Sequence, residues 1–339
     1  MTEESPLTRT SPRALMLRRE IGNLVIIAVI AALAPLFFHQ VLLMKILCFA
    51  LFACAYNLVF GYGGLLAFGH AAFFGSAAYV TAYAVTLWKL TPETAMALGV
   101  LAATVLGAII GWLAIKRQGL YFAMITLALS QIVYFYAVQA RWTRGEDGIQ
   151  TGPRGLLFGV IDLNYQPTMY VFSVVVFLFG FALVYRIIHS PFGQALRAAR
   201  DNEPRLVSLG YFPDRLKLQA FVISAALSGL AGGLKAVVFQ LASLEDVMFT
   251  TSGDALLMTL MGGIGTVWGP VFGAVLLVTM LNYLASFGAW VEVFQGAMFT
   301  GCVLVFRSGV VGVATKIWRG VTAKRQKRSH ETVQGEYNV

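Results

Sequence analysis

Apolar residues fall in long runs along the chain, separated by short polar punctuation. Runs at about 21–38, 41–60, 65–87, 94–115, 119–140, 168–188 and 217–241 approach the roughly 20 residues that a bilayer-crossing helix needs. Seven crossings are predicted from them. A further apolar stretch, Asp254 to Phe306, is cut by Gly262, Gly263, Gly265, Gly269 and Pro270 and again near Gly288. It is predicted to hold three short or tilted crossings, at about 254–267, 268–285 and 289–306. Two crossings with a re-entrant segment, nine in all, would put the C-terminal tail on the opposite side. Ten crossings, five on each side of residue 141, set the two halves in opposite orientation, the arrangement of an inverted repeat. The expected fold class is therefore an all-α polytopic membrane protein of about ten transmembrane helices over residues 21–306, with polar tails at 1–20 and 307–339.

Composition agrees with lipid as the solvent. Apolar side chains make up 58% of the 339 residues and charged ones 12%, too few for a water-facing shell around so large a core. Cys48, Cys54 and Cys302 all lie in apolar runs without CxxC spacing, which excludes a disulfide scaffold and a cysteine-based zinc site. Within the first run, Ala32, Leu33 and Ala34 resemble a signal cleavage site, but the following Pro35 and the length of the run predict a retained helix.

The net charge of +9 matters through its placement, because Lys and Arg flanking the spans mark the cytoplasmic side. Residues 1–20 carry four Arg, and residues 307–339 carry seven basic residues, including Lys324, Arg325, Lys327 and Arg328. Both termini are predicted to be cytoplasmic, the C-terminal cluster serving as an anchor or anionic-lipid contact rather than a nucleic-acid site. From Arg186 to Lys217 there are six basic and three acidic residues, whereas residues 141–167 carry three of each. The first segment is predicted to be cytoplasmic and the second external.

The segment Ser190 to Gly210, SPFGQALRAARDNEPRLVSLG, is the most informative polar island. Ser190 can cap a helix with Pro191 at its first position, and Phe192, Leu196 and Ala199 recur at helical spacing while Arg197 and Arg200 point elsewhere. Asp201, Asn202 and Pro204 interrupt and restart the helix, and Gly210 stops it. Two short helices are predicted at 190–210. The chain has no Gly-Lys dipeptide and hence no GxxxxGK[ST] phosphate loop, so energy for any pumping must come from a partner.

That island resembles the cytoplasmic coupling segment of permease subunits in ATP-binding-cassette importers for branched-chain amino acids: a Gly, then ALRA, an Arg, Asp-Asn-Glu and a Leu-Gly. Here these are Gly193, Ala195 to Ala198, Arg200, Asp201, Asn202, Glu203, Leu209 and Gly210. Gly61 to Gly75 (GYGGLLAFGHAAFFG), Gly119 to Leu127 (GLYFAMITL), Phe221 to Gly233 (FVISAALSGLAGG) and Gly262 to Ala274 (GGIGTVWGPVFGA) are also similar to that family's segments, in its order. The insert RWTRGEDGIQTGPRGL from Arg141 resembles the larger of the family's two permease partners.

The resemblance implies a type II importer-like permease fold without enzymatic activity. It also implies pairing with a homologous permease as a heterodimer, two ATP-binding subunits that hold the ATP, and an external solute-binding protein, in the cell inner membrane. Branched-chain or other hydrophobic amino acids are the implied substrates, with urea or short amides as an alternative within the family. An ion-coupled secondary transporter is the rival from another class, and a membrane-embedded enzyme the third.

Site candidates follow from both readings. The expected ATPase-coupling residues are Phe192, Gly193, Leu196, Arg197, Arg200, Asp201, Asn202, Glu203 and Gly210, with Phe192 and Leu196 as anchors and Arg197, Arg200 and Glu203 setting register. The translocation-path candidates are Tyr62, His70, Gly262, Gly263, Gly265 and Trp268; broken backbone near the glycines needs partners other than lipid. For His70, a pathway role stands beside a hydrogen bond to a neighbouring helix. Lys235 either snorkels or pairs with Glu245 or Asp246. Arg144, Glu146, Asp147 and Arg154 are the candidates for contact with the binding protein. His39, His70, His189 and His330 are widely separated in the chain, so no metal site is expected and the case for ion coupling is weak.

Overall fold

A computed structural model of the chain describes residues 38–305 apart from 118, 158, 160, 286, 287 and 289, together with 22, 29, 31 and 33–36. The two polar tails, most of the first apolar run, and Ala32 of the cleavage-site reading lie outside the described residues.

The described chain is built almost wholly of helices. In order they are α1 (Gln40–Asn57), continued by a π-helical turn over Leu58–Tyr62, α2 (His70–Thr86), α3 (Pro92–Ala114), α4 (Leu120–Gln139), α5 (Gln166–His189) and α6 (Pro191–Asp201). Then come α7 (Glu203–Ser208), α8 (Pro213–Phe239), α9 (Phe249–Gly262), α10 (Gly269–Leu284) and α11 (Trp290–Val305). Five segments are long and apolar enough to cross a membrane: Gln40–Tyr62, Pro92–Ala114, Leu120–Gln139, Gln166–His189 and Pro213–Phe239. α2, α9, α10 and α11 are shorter, at 17, 14, 16 and 16 residues. Prolines sit in the first turns of α3, α5, α6, α7, α8 and α10, where a missing N–H costs no intrahelical bond.

α1 and α8 form the centre. Ala50 through Val59 of α1 are buried on every side, and α8 is buried along most of its length. The periphery is α3, α4 and α5, whose outer faces are apolar stripes at helical spacing: Leu101, Val105, Ile109 and Trp112 on α3, and Val171, Val175 and Phe179 on α5. These stripes are what a lipid-facing surface requires.

The run predicted over 65–87 becomes helical only at His70. Residues 65–69 are non-helical, and hydropathy cannot separate an apolar extended segment from an apolar helix. Non-helical backbone at membrane depth needs internal partners. Leu65 N–H donates to Val59 O at 3.1 Å, Phe68 N–H to Thr126 Oγ1 of α4 at 3.2 Å, and Ala71 N–H to Ser252 Oγ of α9 at 2.7 Å.

The connections gather at two ends. The turn after Tyr62, the α3–α4 turn, the α6–α7 island and the α9–α10 turn share one end. Residues 140–165 and 240–248 share the other, where Ile149–Gln150 (β1) pairs antiparallel with Leu241–Ala242 (β4). Leu156–Leu157 (β2) and Ile161–Asp162 (β3) form a second small ladder there. Lys235 near the end of α8 bonds Asp246 at 2.6 Å, one of the two partners expected for it; Asp246 also accepts from Ser243 N–H at 3.0 Å. Both side chains are buried, so Lys235→Met leaves a carboxylate without its cation and should destabilise the fold by about 3–5 kcal/mol. A thermal-unfolding midpoint unchanged from the parent would refute this, and Asp246→Asn on top of it should recover part of the loss.

Candidate functional site

The island folds as its punctuation predicts. Ser190 Oγ accepts from Gly193 N–H at 3.3 Å to cap α6, and Asn202 Oδ1 accepts from Arg205 N–H at 3.1 Å to cap α7. Gly193 lies against the carbonyls of Ile187 and Ile188, a contact that a side chain would obstruct. Leu196, Ala199 and Leu206 are buried in the body of the protein, and Phe192 packs partly against the same core. Leu196 therefore holds the island down rather than facing outward.

The two arginines are exposed but also reach back to the body of the protein. The Arg197 guanidinium stacks 4.8 Å from the centre of the Tyr62 ring and donates to Ile188 O at 3.2 Å. Arg200 Nη1 donates to Gly61 O, and its aliphatic stem lies beside Gly64. Glu203 bonds Lys217 at 2.7 Å, tying α7 to α8. Asp201 and Gly210 are exposed.

Beneath the island two interruptions of helix meet. The side-chain amide of Asn57 donates to Thr266 O at 2.9 Å, and its oxygen accepts from Gly265 N–H at 3.1 Å. Thr266 Oγ1 in turn donates to Gly263 O at 2.8 Å and accepts from Gly269 N–H at 3.0 Å. Gly263 and Gly265 take φ of +120° and +69°, conformations that side-chain-bearing residues rarely adopt, so this turn can bend back onto α1. Trp268 packs on Phe181 with ring centroids 5.6 Å apart. Tyr62, Gly262, Gly263, Gly265 and Trp268 thus surround one junction, and Arg197 and Arg200 reach into it.

His70 stands apart from that junction. Its ring is wholly buried among Tyr56, Phe73 and Phe221, with Nε2 2.9 Å from Ser224 Oγ. Ser224 gives its single hydroxyl hydrogen to Ala55 O at 2.5 Å, which makes His70 Nε2–H the donor of the pair. The contact joins α2 to α8, the helix-to-helix hydrogen bond that stood as one of the two readings.

At the opposite end, Arg144, Glu146 and Asp147 are exposed, whereas the Arg154 guanidinium donates to Val237 O at 3.3 Å and Val238 O at 2.8 Å. Partial burial lowers the pKa of Arg154 from its ordinary value. Among the described residues no group of three or more His, Cys, Asp or Glu is placed to hold a metal ion.

Sequence reading missed Asn57, although a lone amide deep in the 41–60 run is a signal in itself. It also missed the exposed apolar surface at and beyond the end of α7: Val207, Leu209, Tyr211 and Phe212, with the Arg215 guanidinium 4.8 Å from the Phe212 ring centre.

Residues 40–303 match the family model described as branched-chain amino acid transport system / permease component. The chain is 28% identical over 265 residues to the high-affinity branched-chain amino acid transport system permease protein LivM of Escherichia coli (strain K12), covering 71% of this chain and 62% of that protein. It is 27% identical over 285 residues to the high-affinity branched-chain amino acid transport system permease protein BraD of Pseudomonas aeruginosa, covering 78% of this chain and 91% of that protein. The autoinducer 2 import system permease protein LsrC of Photorhabdus laumondii is 26% identical over 224 residues, 62% of each chain. No solved structure matches the chain. A match over most of the chain establishes that this protein belongs to the family of branched-chain amino acid transport permease components.

Proposed function

We propose that the chain is the transmembrane permease subunit of an ATP-binding-cassette importer for branched-chain or other hydrophobic amino acids, working as a multi-pass protein of the inner membrane. The single observation that carries this reading is the island. It is a capped helix–turn–helix at one end of an apolar bundle, and Arg200 links it directly to the backbone of an interrupted membrane helix. A push on such an element is transmitted as a rigid-body displacement of α1 and of the α9–α10 turn.

The island is the coupling segment in this reading, with a revised contact surface. Leu196, Arg197, Arg200 and Glu203 brace it against its own membrane domain, and the exposed apolar residues after α7 meet the ATP-binding subunit. Lys116, Arg117 and the basic excess of residues 186–217 support a cytoplasmic position for this end, and the proposed topology has ten crossings with both termini in the cytoplasm. The packing supports an inverted repeat: α8 packs on α2 and α3 as α1 packs on α9 and α10, and α2 pairs with α3 as α9 does with α10. The partners are a homologous permease, two ATP-binding subunits and an external solute-binding protein, the last meeting Arg144, Glu146 and Asp147. Substrate passes between the two permeases, and the chain makes and breaks no bonds.

The test is uptake of radiolabelled leucine into proteoliposomes holding the complete assembly. Uptake should need internal ATP and the binding protein together. Uptake that persists without ATP and follows an imposed ion gradient would overturn the proposal in favour of a secondary transporter.

A further inference from the structure

Among the described residues, two ionisable side chains within the helices have no role in the junction or the island: Lys45 of α1 and Asp254 of α9. The two helices run in the same direction, since Thr259 bonds Ala53 O and Asn57 bonds Thr266 O. Lys45 lies five residues beyond Gln40, the first residue of α1, and Asp254 five beyond Phe249, the first of α9. At about 1.5 Å per residue, both sit roughly 7–8 Å inside the same end of the bundle. Both are half-buried.

Asp254 Oδ1 accepts from Gln295 Nε2 of α11 at 2.6 Å, which fixes the carboxylate. Lys45 lies within its electrostatic reach, as does the exposed Glu245 on the turn just outside. Yet Lys45 and Asp254 do not close into an ion pair, and Lys45 makes no hydrogen bond among the described residues. Charges of opposite sign are therefore held apart at one level of the membrane. Against hydrocarbon this arrangement is unfavourable, because an ionised group there needs a partner or water. Snorkelling would account for Lys45 alone but not for an anchored carboxylate at the same depth.

Resting on the importer reading above, we infer that Lys45 and Asp254 form this chain's part of an outer station in the translocation path. There the Lys45 ammonium receives the α-carboxylate of the amino acid and the Asp254 carboxylate receives its α-ammonium. A zwitterion is the ligand class that matches one cation and one anchored anion at the same level of the bundle. The station selects for the amino-acid backbone, whatever the side chain, and Glu245 adds negative potential at its mouth.

The inference is tested in the complete assembly in proteoliposomes, with leucine as substrate. Lys45→Met and Asp254→Asn should each lower ATP-driven uptake about tenfold, equivalent to about 1.4 kcal/mol, while assembly and ATP hydrolysis persist. Cysteines placed at these positions are then treated from outside with membrane-impermeant thiosulfonates of either charge. Lys45→Cys should react about tenfold faster with the cationic reagent, drawn by Asp254, and Asp254→Cys about tenfold faster with the anionic one, drawn by Lys45. Cysteines that do not react, or variants with normal uptake, overturn the inference. Dissociation of the two permeases on Lys45→Met also overturns it, since that marks an ion pair between subunits. If the unaltered assembly shows no ATP-driven uptake, the importer reading itself fails, an outcome distinct from the others.

Discussion

Leu209→Asp combined with Phe212→Asp is expected to abolish uptake while the protein remains inserted and folded. Leu209 is 69% exposed and Phe212 64%, so neither change removes a buried contact from this chain. In the proposed importer, each does remove an apolar anchor from the exposed apolar surface at the end of the island. Truncating an interface anchor commonly costs about 2 kcal/mol or more, so two together weaken docking of the ATP-binding subunit by roughly 10³-fold. Charge replacement adds a desolvation cost. Pull-down of the ATP-binding subunit, measured beside leucine uptake, checks this: retained binding with normal uptake would show that another surface makes the contact. Leu196→Asp is the contrasting variant. Leu196 is fully buried, so its loss should appear as loss of folded protein, not as a docking defect.

Gly232→Val is expected to prevent the membrane domain from assembling. A Cβ at Gly232 would run into the Phe74 carbonyl of α2, and the obstructing atoms are backbone, which cannot move aside as a side-chain tip can. The α8–α2 contact is the close helix approach that small residues permit, and forcing it apart disturbs the core around α8. Overpacking of this kind costs about 3 kcal/mol or more when backbone must shift. Gly253→Ala is the matched control, because nothing lies within 4 Å of the Cβ it would add. Size-exclusion profiles and unfolding midpoints of the two variants should differ sharply. A monodisperse Gly232→Val protein with a parental midpoint would contradict the packing described for α8.

Features written in neighbouring residues were legible in the sequence. Ser190-Pro191 and Asn202-Glu203-Pro204 specify two capped helices because capping is satisfied within three residues. The Lys235–Asp246 pair was legible because only eleven residues and one bend separate the two. The start of α2 was not. An apolar run gives the same hydropathy whether helical or not, and one bond that holds residues 65–69 out of the helix goes from Phe68 N–H to Thr126 on α4. The direction of Arg200 was equally hidden, since its acceptor, Gly61 O, is 139 residues away and belongs to a backbone interruption that no side chain announces. Arg154 looked like an external contact by its loop and charge, yet the carbonyls that receive it belong to the far end of α8. Local rules expose elements; the pairing of distant backbone groups decides which face a charged side chain adopts.

The bond between Asn57 and the α9–α10 turn also orders events during synthesis. Asn57 leaves the ribosome 208 residues before Gly265, which at about 5–20 residues per second is roughly 10–40 s. Through that interval its amide sits in or beside the translocon without the acceptor and donor it will finally hold. The amino-terminal half can thus insert early but matures only when the last quarter of the chain arrives, so the nascent protein's exposure to membrane quality-control proteases is set by the distance between these two residues.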